Sequence, residues 1–169
     1  PRYWRNRPLE ERLSNLRVPR RFDSMTLESY DKSIGDQDVY YAVMTWLKNA
    51  EENTSSGTGL YLFGGTGVGK THLAIGLLKE VVTKLPISGY YIPATTYLEM
   101  MYDELNNDGS LPEEYESPYT SKYLRAIYDV VILDGLGDEN DTDFTRRSIT
   151  NLLNQRINNN LPTIITSLY

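Results

Sequence analysis

The sequence predicts an α/β domain, a three-layer sandwich around a central parallel sheet. Three observations predict it. Short apolar runs alternate with segments of helical periodicity, the pattern of parallel strands joined by crossover helices. One run, Asp129-Val130-Val131-Ile132-Leu133-Asp134, is apolar without alternation until it ends on a carboxylate, as central parallel strands are. A glycine-rich loop joins the first strand to the helix behind it, where such folds place their ligands. The chain has 169 residues, enough for one domain with a full core. A hydrophobic fraction of 40% and a charged fraction of 24% exclude a disordered or fibrous chain.

Residues 1–34 are Arg-rich and interrupted by Pro8 and Pro19, which predicts an extended lead-in over the domain. From residue 36 to 52, Val39, Val43, Met44, Trp46 and Leu47 recur at helical spacing behind a capping Asp36. NTSSGTG, residues 53–59, reads as a loop by composition. Leu60-Tyr61-Leu62-Phe63 has the length and β-prone content of a buried strand and stops at Gly64-Gly65. Residues 71–84 place Leu73, Ile75, Leu77, Leu78, Val81 and Val82 around most of a helix, as in a helix buried between layers. Tyr90-Tyr91-Ile92 is the second strand. The helix over residues 95–105 follows, with Tyr97, Leu98, Met101 and Leu105 on one side and Met100 and Met101 as core filler. Residues 106–122 are polar, acidic and turn-rich, a surface loop. After the Asp134 strand and the turn GLGDENDTD, a helix over residues 144–159 carries Ile149, Leu152, Leu153 and Ile157, and Pro162 introduces a last strand over residues 163–167.

The chemistry is concentrated in Gly64-Gly65-Thr66-Gly67-Val68-Gly69-Lys70-Thr71, a full match to G-x-x-x-x-G-K-[ST] between a predicted strand and a predicted helix. The glycines let the loop curl so that its N–H groups face phosphate oxygens, and the helix N-terminus adds its positive dipole. Gly65, Thr66, Gly67, Val68, Gly69, Lys70 and Thr71 are therefore the candidate nucleotide-binding residues, with Lys70 reaching the β- and γ-phosphates and the Thr71 hydroxyl binding Mg²⁺. Asp134 is the second half of such a site, because an unpaired carboxylate ending a buried strand is costly unless it serves a cation. The alternative is that it caps the following turn. His72 is a packed or capping histidine with no assigned role.

With no cysteine and one histidine, the chain has neither a disulfide frame nor a zinc-thiolate or histidine-rich metal centre, and a reducing, cytoplasmic setting fits. No apolar run approaches the roughly 20 residues of a membrane span, and PRYWRNR lacks the apolar core of a signal peptide. The net charge of −6 hides an asymmetry: seven arginines against Glu10 and Glu11 give the first 22 residues +5 and leave −11 for the remainder. An acidic body argues against wrapping duplex DNA. The basic arm, with Tyr3 and Trp4, is either a solvated tail or a grip on nucleic acid or an acidic partner.

The blocks GGTGVGKTHLA, VVILD followed by GLGDE, LLNQRINNN, LPTIITS and the lead-in VPRRFDSMTLESY resemble, over roughly residues 17–169, the ATPase domain of the DnaC/IstB-like helicase loaders, P-loop NTPases of the AAA+ class (ASCE type). The resemblance implies residues 1–34 as a basic arm and residues 35–169 as an AAA+-type ATP-binding domain, with the last strand inserted between the phosphate-loop strand and the Asp134 strand. It implies ATP and Mg²⁺ as ligands, with a replicative helicase and single-stranded DNA as partners. The protein would work as a homo-oligomer or a helicase-docked ring, off the membrane, in the cytoplasm of a bacterial or phage-infected cell. The alternative it implies is a transposition helper of the IstB kind that binds duplex DNA. A nucleotide kinase would need an arginine-rich lid, and residues 106–122 supply only Lys122 and several acids. Arg156 matches an arginine before the family's sensor strand, serving a structural ion pair or a role between subunits. Gly135 stands where the family has an acidic residue, and Leu168 where it has the sensor asparagine. The chain begins with Pro and stops at Tyr169, before the family's final strand, so the C-terminal part is expected to be missing. Tight nucleotide binding with slow hydrolysis is therefore expected, with Asp134, Asp138 and Glu139 as the candidate catalytic carboxylates.

Overall fold

The computed structural model describes residues 6–33, 35, 37–106 and 121–168. Four strands, β1 (Leu60–Phe63), β2 (Gly89–Pro93), β3 (Val130–Leu136) and β4 (Thr163–Ser167), form one parallel sheet in the order β1-β4-β3-β2. The last strand thus lies between the phosphate-loop strand and the Asp134 strand, as the family resemblance implies. Because side chains alternate along each strand, the sheet has two apolar faces. On one, Leu62, Tyr91, Val130, Ile132 and Ile164 pack against α4 (Lys70–Lys84) and α2 (Gln37–Lys48). On the other, Tyr90, Ile92, Val131 and Leu133 pack against α5 (Ala94–Asn106), α6 (Ser121–Ala126) and α7 (Asp143–Asn158). Helices on both faces of a parallel sheet make the three-layer sandwich.

Three local expectations are corrected. The lead-in is not extended: it holds α1 (Leu9–Ser14) and a 3₁₀ turn, Arg20–Phe22, and Leu16, Leu27 and Tyr30 are buried in the same core as α4. Arg12 Nη1 donates to the carbonyl of Val82 at 2.7 Å, in the last turn of α4, and to that of Leu85 at 2.6 Å, just past the helix, which also accepts from Ile87 N at 2.8 Å. Lys79 Nζ donates to the carbonyls of Phe22, Asp23 and Met25, and burial draws its pKa below the ordinary lysine value while Asp23 partly restores it. The segment is therefore strapped along α4 by side chains of both partners. The loop at residues 53–59 is largely helical: α3 (Ala50–Ser56) follows Asn49 and ends on Gly57 in the left-handed region. Of the loop expected at residues 106–122, positions 107–120 lie outside the described residues, while Ser121 and Lys122 already belong to α6.

Arg156 is fully buried. Its guanidinium donates to the carbonyls of Leu124, Tyr128, Asp129 and Pro162 and to the Thr163 hydroxyl. Burial lowers its pKa and Asp129 raises it in part. It ties α6, α7 and the entries of β3 and β4 together from inside the domain. Among the described residues no helix is long and apolar enough to cross a membrane.

Candidate nucleotide site

The carboxyl ends of β1, β3 and β4 and the start of α4 converge on a cavity of about 600 Å³, within the range of small-ligand pockets. Thr66, Gly67, Gly69, Lys70, Thr71, Asp134 and Asp138 line it, together with Met25, His72, Gly135, Thr166, Ser167 and Leu168. The loop before α4 is an open cradle, since a Cβ placed on Gly65 or Gly67 would meet nothing within 4 Å. Gly69 starts the helix at φ +89°, and a Cβ there would fall 2.5 Å from the Tyr30 ring, so only glycine fits. Having no side chain, Gly69 caps nothing, which leaves the first N–H groups of a 15-residue helix facing the cavity.

Lys70 Nζ lies over the loop, donating to the carbonyls of Gly64 and Gly65 at 2.7 Å each. Among the described residues no carboxylate lies within ion-pair distance of it, so its charge is available to an anion. Thr71 Oγ1 donates to Asp134 Oδ1 at 2.7 Å, bringing together two groups 63 residues apart. A hydroxyl and a carboxylate beside a phosphate cradle form an all-oxygen donor set suited to Mg²⁺, which keeps several waters and needs few protein ligands. The donor set and the cradle therefore fit a magnesium-bound nucleoside triphosphate.

Asp134 owes its direction to an irregularity in β3. Leu133 pairs with Ile165 and Leu136 with Ser167, so three steps on β3 oppose two on β4, a bulge at Asp134 and Gly135. The Thr166 hydroxyl repairs it, accepting from Gly135 N at 2.8 Å and donating to Asp134 Oδ1 at 2.6 Å. Gly135 itself has φ +74°. On the other oxygen, Tyr91 Oη donates to Asp134 Oδ2 at 2.8 Å. Burial first, then the Asp134 charge and hydrogen bond, raise the Tyr91 pKa well above the ordinary tyrosine value.

Not every candidate reaches the cavity. Gly65 and Val68 turn their carbonyls to Lys70 and to the Tyr30 hydroxyl at 3.1 Å instead. Asp138 is exposed at the rim, over Gly135. Glu139 lies outside: its Oε2 accepts from Gly137 N at 2.9 Å, and it borders two neighbouring grooves. Leu168 lines the cavity with an apolar side chain that can neither donate nor accept. His72 is packed, its Nε2 near the Thr26 carbonyl and the Ser29 hydroxyl.

Sequence reasoning missed Tyr91, Thr166 and the contribution of Met25 and Tyr30. The signal for the first two was indirect, a buried carboxylate that needs donors, and only the register shows which strands supply them.

A family model for IstB-like ATP binding proteins matches residues 5–169. The chain belongs to that family. The replicative helicase loader DnaI of Bacillus subtilis (strain 168) is 30% identical over 133 residues, which are 76% of this chain and 39% of DnaI. The chain thus spans well under half the length of that relative. A crystal structure of the DnaC helicase loader superposes with a TM-score of 0.73 at 28% identity, over 89% of this chain and 80% of that one. AMPPCP-bound DnaA from Aquifex aeolicus shares the fold, with a TM-score of 0.69 at 20% identity over 87% of this chain and 43% of DnaA. The architecture is accordingly that of an AAA+ P-loop domain.

Proposed function

We propose that this chain binds ATP with Mg²⁺ and acts as a loader for a replicative helicase during DNA replication. The observation that carries the nucleotide reading is the convergence of the open cradle, an ammonium with no carboxylate in ion-pair range among the described residues, and the Thr71–Asp134 pair on one cavity. When bound, the metal supplies charge for the phosphates. The chain's part is to hold those phosphates on N–H groups and Lys70, and to present Thr71 and Asp134 on one side. Gly67, Gly69 and Lys70 are the phosphate contacts, with Thr66 alongside; Thr71 and Asp134 face the metal. Among the described residues Asp138, at the rim, is the carboxylate besides Asp134 that lines the cavity; with Gly135 and Leu168 in place of polar groups, hydrolysis in isolation is expected to be slow and binding to be the switch. The likeness to the helicase loaders DnaI and DnaC supports the loader reading; single-stranded DNA, a helicase-docked or self-assembled ring and a cytoplasmic setting complete the proposal. The same likeness favours it over the transposition helper.

Titration of a fluorescent ATP analogue with and without Mg²⁺ tests the site. Lys70→Ala should abolish binding while the domain stays folded, with at most a modest fall in melting temperature from the lost bonds to the Gly64 and Gly65 carbonyls. Retained affinity would remove the site from the loop. Pull-downs from host extract with ATP and with ADP should retain a replicative helicase in one nucleotide state. Binding to single- and double-stranded DNA across salt concentrations separates the loader from the transposition helper.

A further inference from the structure

We propose that Tyr91 is a positioning residue for the metal-facing carboxylate, its hydroxyl holding Asp134 in the orientation in which Asp134 and Thr71 serve one divalent cation. The proposal rests on the nucleotide reading above.

Pro93 of β2 pairs with Asp134 of β3, so Tyr91 stands one pleat back on the same face, from where a phenol reaches along the sheet to the carboxylate. Among the described residues three hydroxyls donate to Asp134: Thr71 and Thr166 to Oδ1, and Tyr91 to Oδ2. Thr71 is the one whose oxygen a metal would claim. Because Thr71 and Thr166 both act on Oδ1, without a donor on Oδ2 the carboxylate keeps freedom about its terminal bond, a broad and soft torsion. A second donor on the other oxygen removes that freedom, and Tyr91 is that donor.

The phenol is itself immobilised. Tyr91 is 3% exposed, its ring meets Phe22 edge-on at 6.1 Å, and its backbone N–H donates to the Leu16 carbonyl at 2.7 Å. Two of these contacts come from the segment strapped along α4. The N-terminal segment therefore sets the stiffness of the metal-facing carboxylate through one side chain.

The test is a Mg²⁺ titration at fixed concentration of a fluorescent, non-hydrolysable ATP analogue, on the parent, Tyr91→Phe and Tyr97→Phe. Tyr97 is a buried tyrosine of α5 whose hydroxyl points to the Ser148 carbonyl, away from the cavity. Tyr91→Phe should raise the Mg²⁺ concentration for half-maximal binding by about 10-fold, the lower end for loss of a group that orients a metal ligand. Metal-free affinity for the analogue should stay unchanged, and so should the Mg²⁺ midpoint of Tyr97→Phe. A Tyr91→Phe midpoint indistinguishable from the parent's, or an equal rise in Tyr97→Phe, overturns the proposal. A parent whose binding ignores Mg²⁺ overturns the nucleotide reading first.

Discussion

Replacing Gly135 by glutamate would supply the acidic residue that the family resemblance implies after the strand aspartate, and by sequence alone it should speed hydrolysis. The backbone argues the opposite. Gly135 sits at φ +74° in the bulge of β3, where an L side chain costs about 1–2 kcal/mol. An added Cβ would lie 2.9 Å from Asp138 Oδ2, the far end of an exposed side chain that can turn away, so this contact adds little. Gly135→Ala should therefore lose about 1–2 kcal/mol, which for a chain of this size lowers the melting temperature by roughly 2–8 °C. Gly135→Asn should lose less, because asparagine visits the left-handed region more readily. Gly135→Glu should lose most, since a third carboxylate joins Asp134 and Asp138. The assay is thermal unfolding of the three variants beside the parent, with ATP turnover measured on each. Turnover of Gly135→Glu should not exceed the parent's, because a residue in the bulge does not project as one in a regular strand does. A parent-like melting temperature together with a gain on the scale of a general base, about 10²–10⁴-fold, would refute the reasoning.

Arg12→Ala should destabilise the domain by about 1.5–3 kcal/mol, the worth of hydrogen bonds from a charged donor, because the carbonyls of Val82 and Leu85 lose it. Urea unfolding measures the loss, and nucleotide affinity should be unchanged; the reverse pattern would return the arginine to a binding role. Deleting residues 1–16 should likewise lower the melting temperature, since Leu16 and α1 belong to the fold. Burial raises the Tyr97 pKa from 10.0 to about 12, so its contribution is complete below the unfolded value and is lost as pH rises through the folded one. Between about pH 10 and pH 12 the parent should lose on the order of 2 kcal/mol more than Tyr97→Phe, as urea unfolding at both ends of that window would show.

What was legible in the sequence was what acts locally. The candidate phosphate loop announces itself because its glycines, lysine and threonine lie within eight consecutive residues. Asp134 was legible as a candidate because a charge ending a buried apolar strand is costly unless something receives it. The N-terminal segment was not, because Leu13, Leu16, Phe22, Met25, Leu27 and Tyr30 enter the core one at a time, with no period to detect. Its arginines suggested a partner, whereas Arg12 serves the carbonyls of its own domain. The polar helix α3 was hidden by composition: Asn53 and Thr58 read as loop residues, yet Asn53 Nδ2 donates to the Trp46 carbonyl at 3.0 Å and Trp46 Nε1 to that of Thr58 at 2.8 Å.

Gly135 shows the deeper limit. In sequence it is a missing acid; in the fold it is the residue that lets β3 bulge, and the bulge aims Asp134 at Thr71. Thr166 and Tyr91 then hold that aim from the two neighbouring strands, and neither can be found without knowing that β4 lies beside β3 on one side and β2 on the other. Groups that would touch the ligand are thus written in consecutive residues, while those that fix their direction are written in strand register. A variant that leaves every motif residue intact can therefore still disable the site by shifting the bulge.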